Sequence, residues 1–551
     1  MSPLPVREAL RGKRLLVTGA SGFLGKVWLQ QLLEAAPEVG PVRLVLRGRG
    51  GARARLEELL GASPAFDPWH ARWGERLGAA LGPRLLPVEG DLGRPLLGLS
   101  PDELAAPLDL VVHLGALTDL EPDLEQALRV NVDGALAALE VARRTGAAFL
   151  HVSTAYVAGA REGLFPGAPL PEAPPRAAAG PFEAERELQD LRRLVLAVEE
   201  EARDQRREAE LCEQARAALR RQGLAADPAA LAAALERTRA AWVRSRRQAL
   251  GGERARAWGW ANAYALSKAL AELLIERRGG DVPRCTVRPS IVESALALPF
   301  PGWKEGHQTS APLLWALTEG PLRALPGRGR LRLDVLPVDL AARGLTLAAA
   351  ALVRREAPPV VQLGTSQENP LTLARAVELT NLARRAGEEE TWAGLLLPDA
   401  RPVGEAGWRL EGPPMLRRLA AGAGAGLSLL GGALPGRLGE RAAELSRQAE
   451  LAARRLERLE EVVSTFRPFL LEHDLELDTA AARALSARLP AEERAVCAWE
   501  PGAIEWRRYW MDVHLPGLRR WVFPALEGRR GERRPRREVR LVPAAPQAVL
   551  P

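Results

Sequence analysis

Cysteine, lysine and tyrosine are scarce in this 551-residue chain. The three cysteines, Cys212, Cys285 and Cys497, lie far apart and form no CxxC pair. That spacing excludes a disulfide framework and a cysteine-built structural metal site, and it fits a reducing compartment. Lysine occurs only at Lys13, Lys26, Lys268 and Lys304, and tyrosine only at Tyr156, Tyr264 and Tyr509. Either residue in a patterned position therefore carries unusual information. The first residues, MSPLPVREALRGKR, lack the apolar core of a secretory signal, so the cytoplasm is the expected location. No internal repeat is present. Distributed positive charge is also missing: Arg529–Arg540 holds seven arginines and two glutamates, +5 of the formal +7. The body is near neutral, which argues against a general nucleic-acid face. The basic tail, about 529–551, reads as a solvated disordered end, with contact to an anionic membrane surface as the alternative.

Apolar and charged content are ordinary for a globular protein, and the length predicts two or three domains. The organising stretch is Arg14–Gly25, RLLVTGASGFLG. Leu15–Val17 form a short apolar run, Gly19, Gly22 and Gly25 follow at three-residue spacing, and apolar residues then recur at helical spacing (Val27, Trp28, Leu32). Strand, glycine turn and helix in that order suit a dinucleotide pyrophosphate. Glycines admit the phosphates close to the backbone, and the helix start offers free N–H groups. Ser21, Phe23 and Leu24 complete the cofactor face of this turn. Val42–Leu46 reads as a second strand, with Arg47 at its end. An acidic residue near there would hold a ribose 2′-hydroxyl, whereas arginine accommodates a 2′-phosphate, so NADPH is the expected cofactor.

Further strands are expected at Leu85–Val88, Leu110–Leu114 and Ala148–Val152. The first ends in Gly90-Asp91-Leu92 and the second in Gly115-Ala116, small enough for a cofactor to lie against backbone. Asn131 falls on a following helix, Ala127–Thr145, where a buried amide binds backbone, and it is counted among the expected cofactor-binding residues. Alternating strands and helices predict a doubly wound parallel α/β sheet of Rossmann type. From about 181 to 257 the chain turns rich in Glu, Arg, Ala and Leu, which predicts two or three exposed helices broken near Gly223 and Asp227-Pro228. A sixth strand runs from Cys285, and shorter ones are expected at Leu333–Leu336 and Val360–Leu363. The nucleotide-binding domain is placed at 1–369 and a mostly helical C-terminal domain at 370–551. Within the latter, Leu419–Leu434 is a sixteen-residue apolar, glycine-rich run flanked by arginines. It is short for a membrane span. It reads as buried or flexible, with peripheral membrane contact as the alternative. Glu505–Phe523 concentrates aromatics, as a core or an acyl channel would.

Tyr264-Ala-Leu-Ser-Lys268 puts a phenol and an ammonium one helical turn apart. With a hydroxyl at Ser153 or Thr154 they make a reductase constellation. A carbonyl receiving hydride develops oxyanion charge and needs a proton. The ammonium is expected to lower the phenol pKa, and the hydroxyl to bind the oxyanion.

Together TGASGFLG, Asn131-Val-Asp-Gly134, VSTAYVAG and YALSK resemble the extended short-chain dehydrogenase/reductase fold. Val88-Glu-Gly-Asp-Leu92, His151-Val-Ser-Thr-Ala-Tyr-Val157, Arg288-Pro-Ser-Ile-Val-Glu-Ser-Ala295 and Pro299-Phe-Pro-Gly-Trp303 are similar to alcohol-forming fatty acyl-CoA reductases. The bacterial branch is nearest, through Trp258-Gly-Trp-Ala-Asn-Ala-Tyr264, Phe466-Arg-Pro-Phe469 and Tyr509-Trp-Met-Asp-Val-His-Leu-Pro-Gly517. The resemblance implies that Gly19, Gly22 and Gly25 hold the pyrophosphate, Arg47 the 2′-phosphate, Asp91 and Leu92 the adenine side, and Pro289, Ser290 and Ile291 the nicotinamide side. It also implies that Thr154, or else Ser153, serves the oxyanion. Long-chain acyl-CoA would be reduced to alcohol through an aldehyde, without metal or acyl-enzyme. The alternatives are a carrier-protein-bound thioester, a free aldehyde, another extended short-chain substrate such as a sugar nucleotide or steroid, or a non-catalytic NADP sensor.

Overall fold

A computed structural model describes residues 2–176, 181–225, 227–387, 398–529 and 536–542. Its centre is a seven-stranded sheet. In chain order the strands and first helices are β1 (Leu15–Thr18), α1 (Phe23–Ala35), β2 (Val42–Leu46), β3 (Leu85–Glu89), β4 (Leu110–His113), α2 (Gly134–Thr145) and β5 (Ala148–Val152). Three helices follow, α3 (Ala184–Glu201), α4 (Gln205–Arg221) and α5 (Pro228–Trp258). Then come α6 (Ala263–Arg278), β6 (Arg284–Pro289), α7 (Val338–Val353) and β7 (Val360–Leu363). The spatial order is β7-β6-β5-β4-β1-β2-β3, with every pair parallel. Strand order reverses between β1 and β4, and ligands of such sheets bind in the crevice at that switch point.

Nearly continuous burial explains the apolar strand sequences: β1, β4, β5 and β7 are buried along their whole length. Helix α7 (VDLAARGLTLAAAALV) is apolar on almost every side because it is surrounded. It packs on α1, β5 and β6, and its alanines Ala348–Ala351 let those layers approach.

The insertion forms three helices, with the break at 222–227 that the sequence predicts. Buried Arg247 ties α5 to Glu199 on α3 (2.6 Å), and Arg254 ties it to buried Glu187 (2.6 Å). Sequence reading and structure differ elsewhere. The expected helix Ala127–Thr145 contains a wider π-type turn, Leu128–Asp133, just where Asn131 sits. The strand expected at Leu333–Leu336 is divided. Arg332–Leu333 pairs antiparallel with Leu371–Thr372, and Val335–Pro337 pairs with Ile291–Glu293, both outside the main sheet. Asp334 lies between, its carboxylate accepting from Thr365 N (2.7 Å) and Ser366 N (3.1 Å).

The C-terminal part is mostly helical and closely joined to the first. Leu475–Leu477 pairs with Gly163–Phe165, and the buried Tyr509 hydroxyl donates to Ser294 O (2.8 Å). Two long helices, α8 (Pro413–Ala433) and α9 (Gly436–Leu471), form a hairpin. The apolar run Leu419–Leu434, expected to be buried or flexible, is not buried: it lies largely exposed along α8 and its C-cap Leu434.

The tail also differs from the solvated end expected of it, over its described part. Residues 536–542 dock on the helices Gly51–Ala62 and Leu77–Leu81, burying Val539 and Leu541. Arg537 pairs with Asp67 (3.0 Å), and Val542 N donates to Gly78 O (3.1 Å). Charge is neutralised locally here instead of being left to water. The remaining tail residues, 530–535 and 543–551, lie outside the described residues. A Cβ on Gly78 would run into the carbonyl of Arg540. Gly78→Val is therefore expected to lift the tail and speed tryptic cleavage at Arg536, Arg537 and Arg540 by about tenfold, in line with the 1–3 kcal/mol typical of overpacking. Timed digestion followed by mass spectrometry measures this.

Candidate active site

One cavity of about 870 Å³ opens at the carboxyl ends of β1, β2, β4, β5 and β6. Gly19, at φ +75°, turns the chain out of β1 so closely beneath β4 that a Cβ would lie 2.6 Å from Gly115 N. Gly25 is pinned for another reason: its Cβ would strike the Gly19 carbonyl, so helix and turn pack backbone to backbone. Beyond Gly22 no protein atom closer than 3.3 Å blocks approach. Helix α1 starts there without a side-chain cap or an acidic residue in its first turn. Its free N–H groups face a space suited to a phosphate.

Thr18 fixes the neighbouring strand end. Its hydroxyl accepts from Gly115 N (3.1 Å) and bonds His113 Nδ1 (2.9 Å). Burial, then the Lys268 charge, push His113 down to about 3, so the ring is neutral. Gly115 and Ala116 line the cavity, as do Ser21, Phe23, Leu24, Asp91 and Leu92. Arg47 also lines it, 71% exposed, and its guanidinium meets Asp91 at 2.9 Å. The Gly93 amide, then Arg47, hold Asp91 below its ordinary value despite partial burial. Arg55 stands on the same wall.

Asn131 does not line the cavity. The π-type turn sinks its amide beneath the wall, where Oδ1 accepts from Leu117 N (2.8 Å). Its Nδ2 donates to Leu117 O (3.2 Å) and Ser267 Oγ (2.9 Å). Ser267 in turn donates to Tyr264 O (2.8 Å). Asn131 thus binds backbone, as a buried amide is expected to, but it is not the cofactor-wall residue also expected of it; it positions the turn of α6 that carries Tyr264 and Lys268.

Asn262 caps α6 by accepting from Ala265 N (2.9 Å). Trp260 Nε1 donates to Val157 O (3.0 Å), tying the start of α6 to the chain after Thr154. Tyr264, Lys268, Ser153 and Thr154 all reach the cavity. Lys268 Nζ donates to Val152 O (2.8 Å), and burial lowers it to about 8 against the raising effect of Glu272. Burial pushes the Tyr264 phenol up to about 12, while the neighbouring Thr154 hydroxyl pulls the other way. The sequence-based expectation of a lowered phenol is therefore reversed in the free protein. The low-dielectric wall outweighs the influence of Thr154, and the phenol stays protonated at neutral pH. Ser153 differs from Thr154: its hydroxyl is buried with no partner among the described residues. Ser290 has the same character, and it lines the cavity with Pro289 and Ile291. Unsatisfied hydroxyls on a wall are what a ribose or a carbonyl oxygen would satisfy. The residues present thus fit a dinucleotide.

Tyr156, Lys304 and Glu305 are among the lining residues that sequence reading did not assign to the site. Tyr156 packs edge-on against Phe469, 4.7 Å between ring centres. Lys304 is buried, donates to Val292 O (2.8 Å), pairs with Glu293 (3.1 Å) and stands 4.5 Å over the Phe23 ring. Burial opposes ionisation of Glu293, but Lys304, His514 and Ser310 hold it at about 2. Glu305 binds buried Lys26 (2.7 Å). Scarcity of lysine was the available signal, since Lys304 lines this wall and Lys26 holds Glu305, which also lines it. None of the three cysteines lines the cavity. Past the hydroxyls the wall turns apolar, with Leu313, Leu317, Leu373, Val377, Phe466 and Leu470. Asp119 is exposed outside it, while Leu120 lines it.

A nucleotide crevice at the switch point, opening beside a Tyr-x-x-x-Lys helix, defines an NAD(P)-dependent oxidoreductase. Sequence comparison agrees. The chain belongs to the Male sterility protein family, whose model matches residues 17–345. It is 28% identical over 533 residues to fatty acyl-CoA reductase 8 of Arabidopsis thaliana, covering 92% of this chain and 97% of that protein. To the alcohol-forming fatty acyl-CoA reductase of Simmondsia chinensis it is 28% identical over 410 residues, 72% of this chain and 74% of the other. Among solved structures, the reductase domain of a nonribosomal peptide synthetase from Mycobacterium tuberculosis is 17% identical. That alignment covers 90% of this chain and 88% of that one, with a TM-score of 0.46.

Two outcomes are expected. Tyr264→Phe keeps dinucleotide affinity, read by fluorescence titration, and lowers kcat by about 10²–10⁴-fold, the usual worth of a general acid. Lys268 is charged below about 8 and neutral above it. Dinucleotide affinity of the free enzyme should therefore weaken as pH rises through that value, as measured by titration across pH.

Proposed function

We propose that this protein reduces long-chain fatty acyl-CoA thioesters to fatty alcohols with NADPH. The observation that carries the reading is the continuity of one cavity. It runs from the glycine turn past Tyr264 and Thr154 into an apolar section walled by the C-terminal helices. A small polar substrate has no use for that section, whereas an acyl chain does. The names of the plant relatives support the same substrate class. Placement in the bacterial branch rests on the motifs around Trp258–Tyr264 and Tyr509–Gly517.

Bound at the turn, the nicotinamide cofactor would supply hydride, and Gly19, Gly22 and the start of α1 would hold its pyrophosphate. Arg47, with no acidic residue closing β2, would meet a 2′-phosphate in exchange for part of its contact with Asp91. Pro289–Ile291 would back the nicotinamide. Lys268 would bind the ribose while its charge stabilises the developing oxyanion. The Thr154 hydroxyl, or the unpartnered Ser153 hydroxyl, would hydrogen-bond that oxygen. Tyr264, kept protonated by burial, donates the proton. The thioester becomes a hemithioacetal, which collapses to aldehyde and free thiol. Passage of the aldehyde through the same relay, with a second hydride that a fresh NADPH would supply, gives the alcohol. Cys285 and Cys497 are pushed up to about 12, chiefly by burial, and neither forms an acyl-enzyme in this scheme.

Anaerobic turnover with palmitoyl-CoA is expected to consume two NADPH per thiol released, with alcohol accumulating. Turnover only with a carrier-bound acyl group or with free aldehyde would reassign the substrate. Arg47→Glu should raise KM for NADPH about tenfold more than for NADH, since like charges set face to face cost several kcal/mol. Equal effects on both cofactors would withdraw the 2′-phosphate assignment.

A further inference from the structure

The hairpin of α8 and α9 is built inside out. Its two helices meet through small residues. Ser446 Oγ donates to Gly424 O (2.8 Å), Gly424 lies against Ala449 and Gly431 against Ala443. A Cβ on Gly439 would strike the Leu434 carbonyl. The leucines point away: Leu419 is 62% exposed, Leu429 78%, Leu430 52% and Leu438 66%. Nine of the fourteen exposed large apolar side chains among the described residues fall between Leu410 and Leu451. Hairpins in water bury leucine and expose small or charged residues. Helices in lipid do the opposite, approaching through small residues and leaving leucine outside.

Charge follows the same pattern. From Gly412 to Gly439 every charged residue is an arginine: Arg417, Arg418 and Arg437. Arg417 bridges to Glu460 (2.7 Å), whereas Arg418 and Arg437 make no ion pair among the described residues. Arg441, exposed one turn after Arg437, makes none either. No described helix is long and apolar enough to cross a membrane. Exposed leucine, inward small residues and unpaired arginines suit insertion into one leaflet.

We infer that the tip of this hairpin inserts into the interfacial layer of a bilayer with anionic headgroups and tethers the enzyme there. Helix α9 connects the two functions. Its first turns carry the apolar tip, and Phe466, Phe469 and Leu470 near its other end wall the cavity. At 1.5 Å per residue, the tip stands roughly 45 Å along the helix from Phe466. The tip is accordingly an anchor and not an entrance.

The test uses the full chain and vesicles of phosphatidylcholine, with and without phosphatidylglycerol, read by co-sedimentation. The expected result is binding that strengthens with phosphatidylglycerol and weakens with salt. The combined variant Leu429→Ser, Leu430→Ser, Leu434→Ser, Leu438→Ser should bind about a hundredfold more weakly, with an unchanged circular dichroism spectrum. The pair Arg418→Glu, Arg437→Glu should lose the preference for phosphatidylglycerol. Three results would overturn the inference: no binding of the unaltered chain at low salt, equal binding by the leucine variant, or conversion of a dimer to a monomer by that variant. The last would assign the face to a second copy. Because binding is read without turnover, it stands apart from the substrate assignment.

Discussion

Everything functional in this molecule depends on how closely the turn after β1 passes beneath the end of β4. With no side chain at Gly19 or Gly115, backbone meets backbone, and Thr18 and His113 lock the approach with a shared hydrogen bond. That contact brings the start of α1 to the switch point of the sheet. It leaves the crevice floored by peptide groups in place of side chains. The relay residues then have a fixed distance to work across, because β5 and α6 are referred to the same sheet through Val152 and Lys268.

The relay is a study in competing electrostatics. Burial disfavours charge on both Lys268 and Tyr264, so each is pushed toward its neutral form. In the proposed reduction this would serve the phenol, which would hold its proton until an oxyanion appears. It is costly in the ammonium, and the structure offsets the cost through the Val152 carbonyl and Glu272. Glu272 is itself secured by buried Arg288 at 2.7 Å. A bound anionic cofactor would act in the same sense as Glu272.

Local chemistry was legible in the sequence; long-range packing was not. The glycine turn, the strands of the sheet, the α6 cap and the Tyr264–Lys268 pair each follow from residues within about one turn or strand of each other. Arg47, Ser153 and Thr154 were legible because strand ends point where the sheet crevice must be. The lowered phenol was misjudged because burial, which outweighs the influence of Thr154, is set by residues far away in sequence. Lys304 and Tyr156 were missed for a similar reason. Nothing in Trp303-Lys304 or Ala155-Tyr156 announces that the far end of α9, at Phe466, Phe469 and Leu470, will close over the same space. The docked tail and the exposed apolar helix were misread because composition reports affinity for water without reporting which surface is available.

The helical insertion separates Thr154 from Tyr264 by more than a hundred residues, yet both hydroxyl-bearing residues line one cavity. An unstructured loop of that size would add closure entropy, growing as the logarithm of its length. Here the loop is prefolded: α3 leads out, α5 leads back, and arginine–glutamate clasps hold their flanks. The entropic separation of the two residues is therefore much shorter than the covalent one. A spacer of this kind tolerates growth or loss of whole helical hairpins at its outer end, where α4 turns into α5, without displacing either hydroxyl. The length of the insertion is thereby decoupled from the chemistry, and the reaction geometry is left to the sheet.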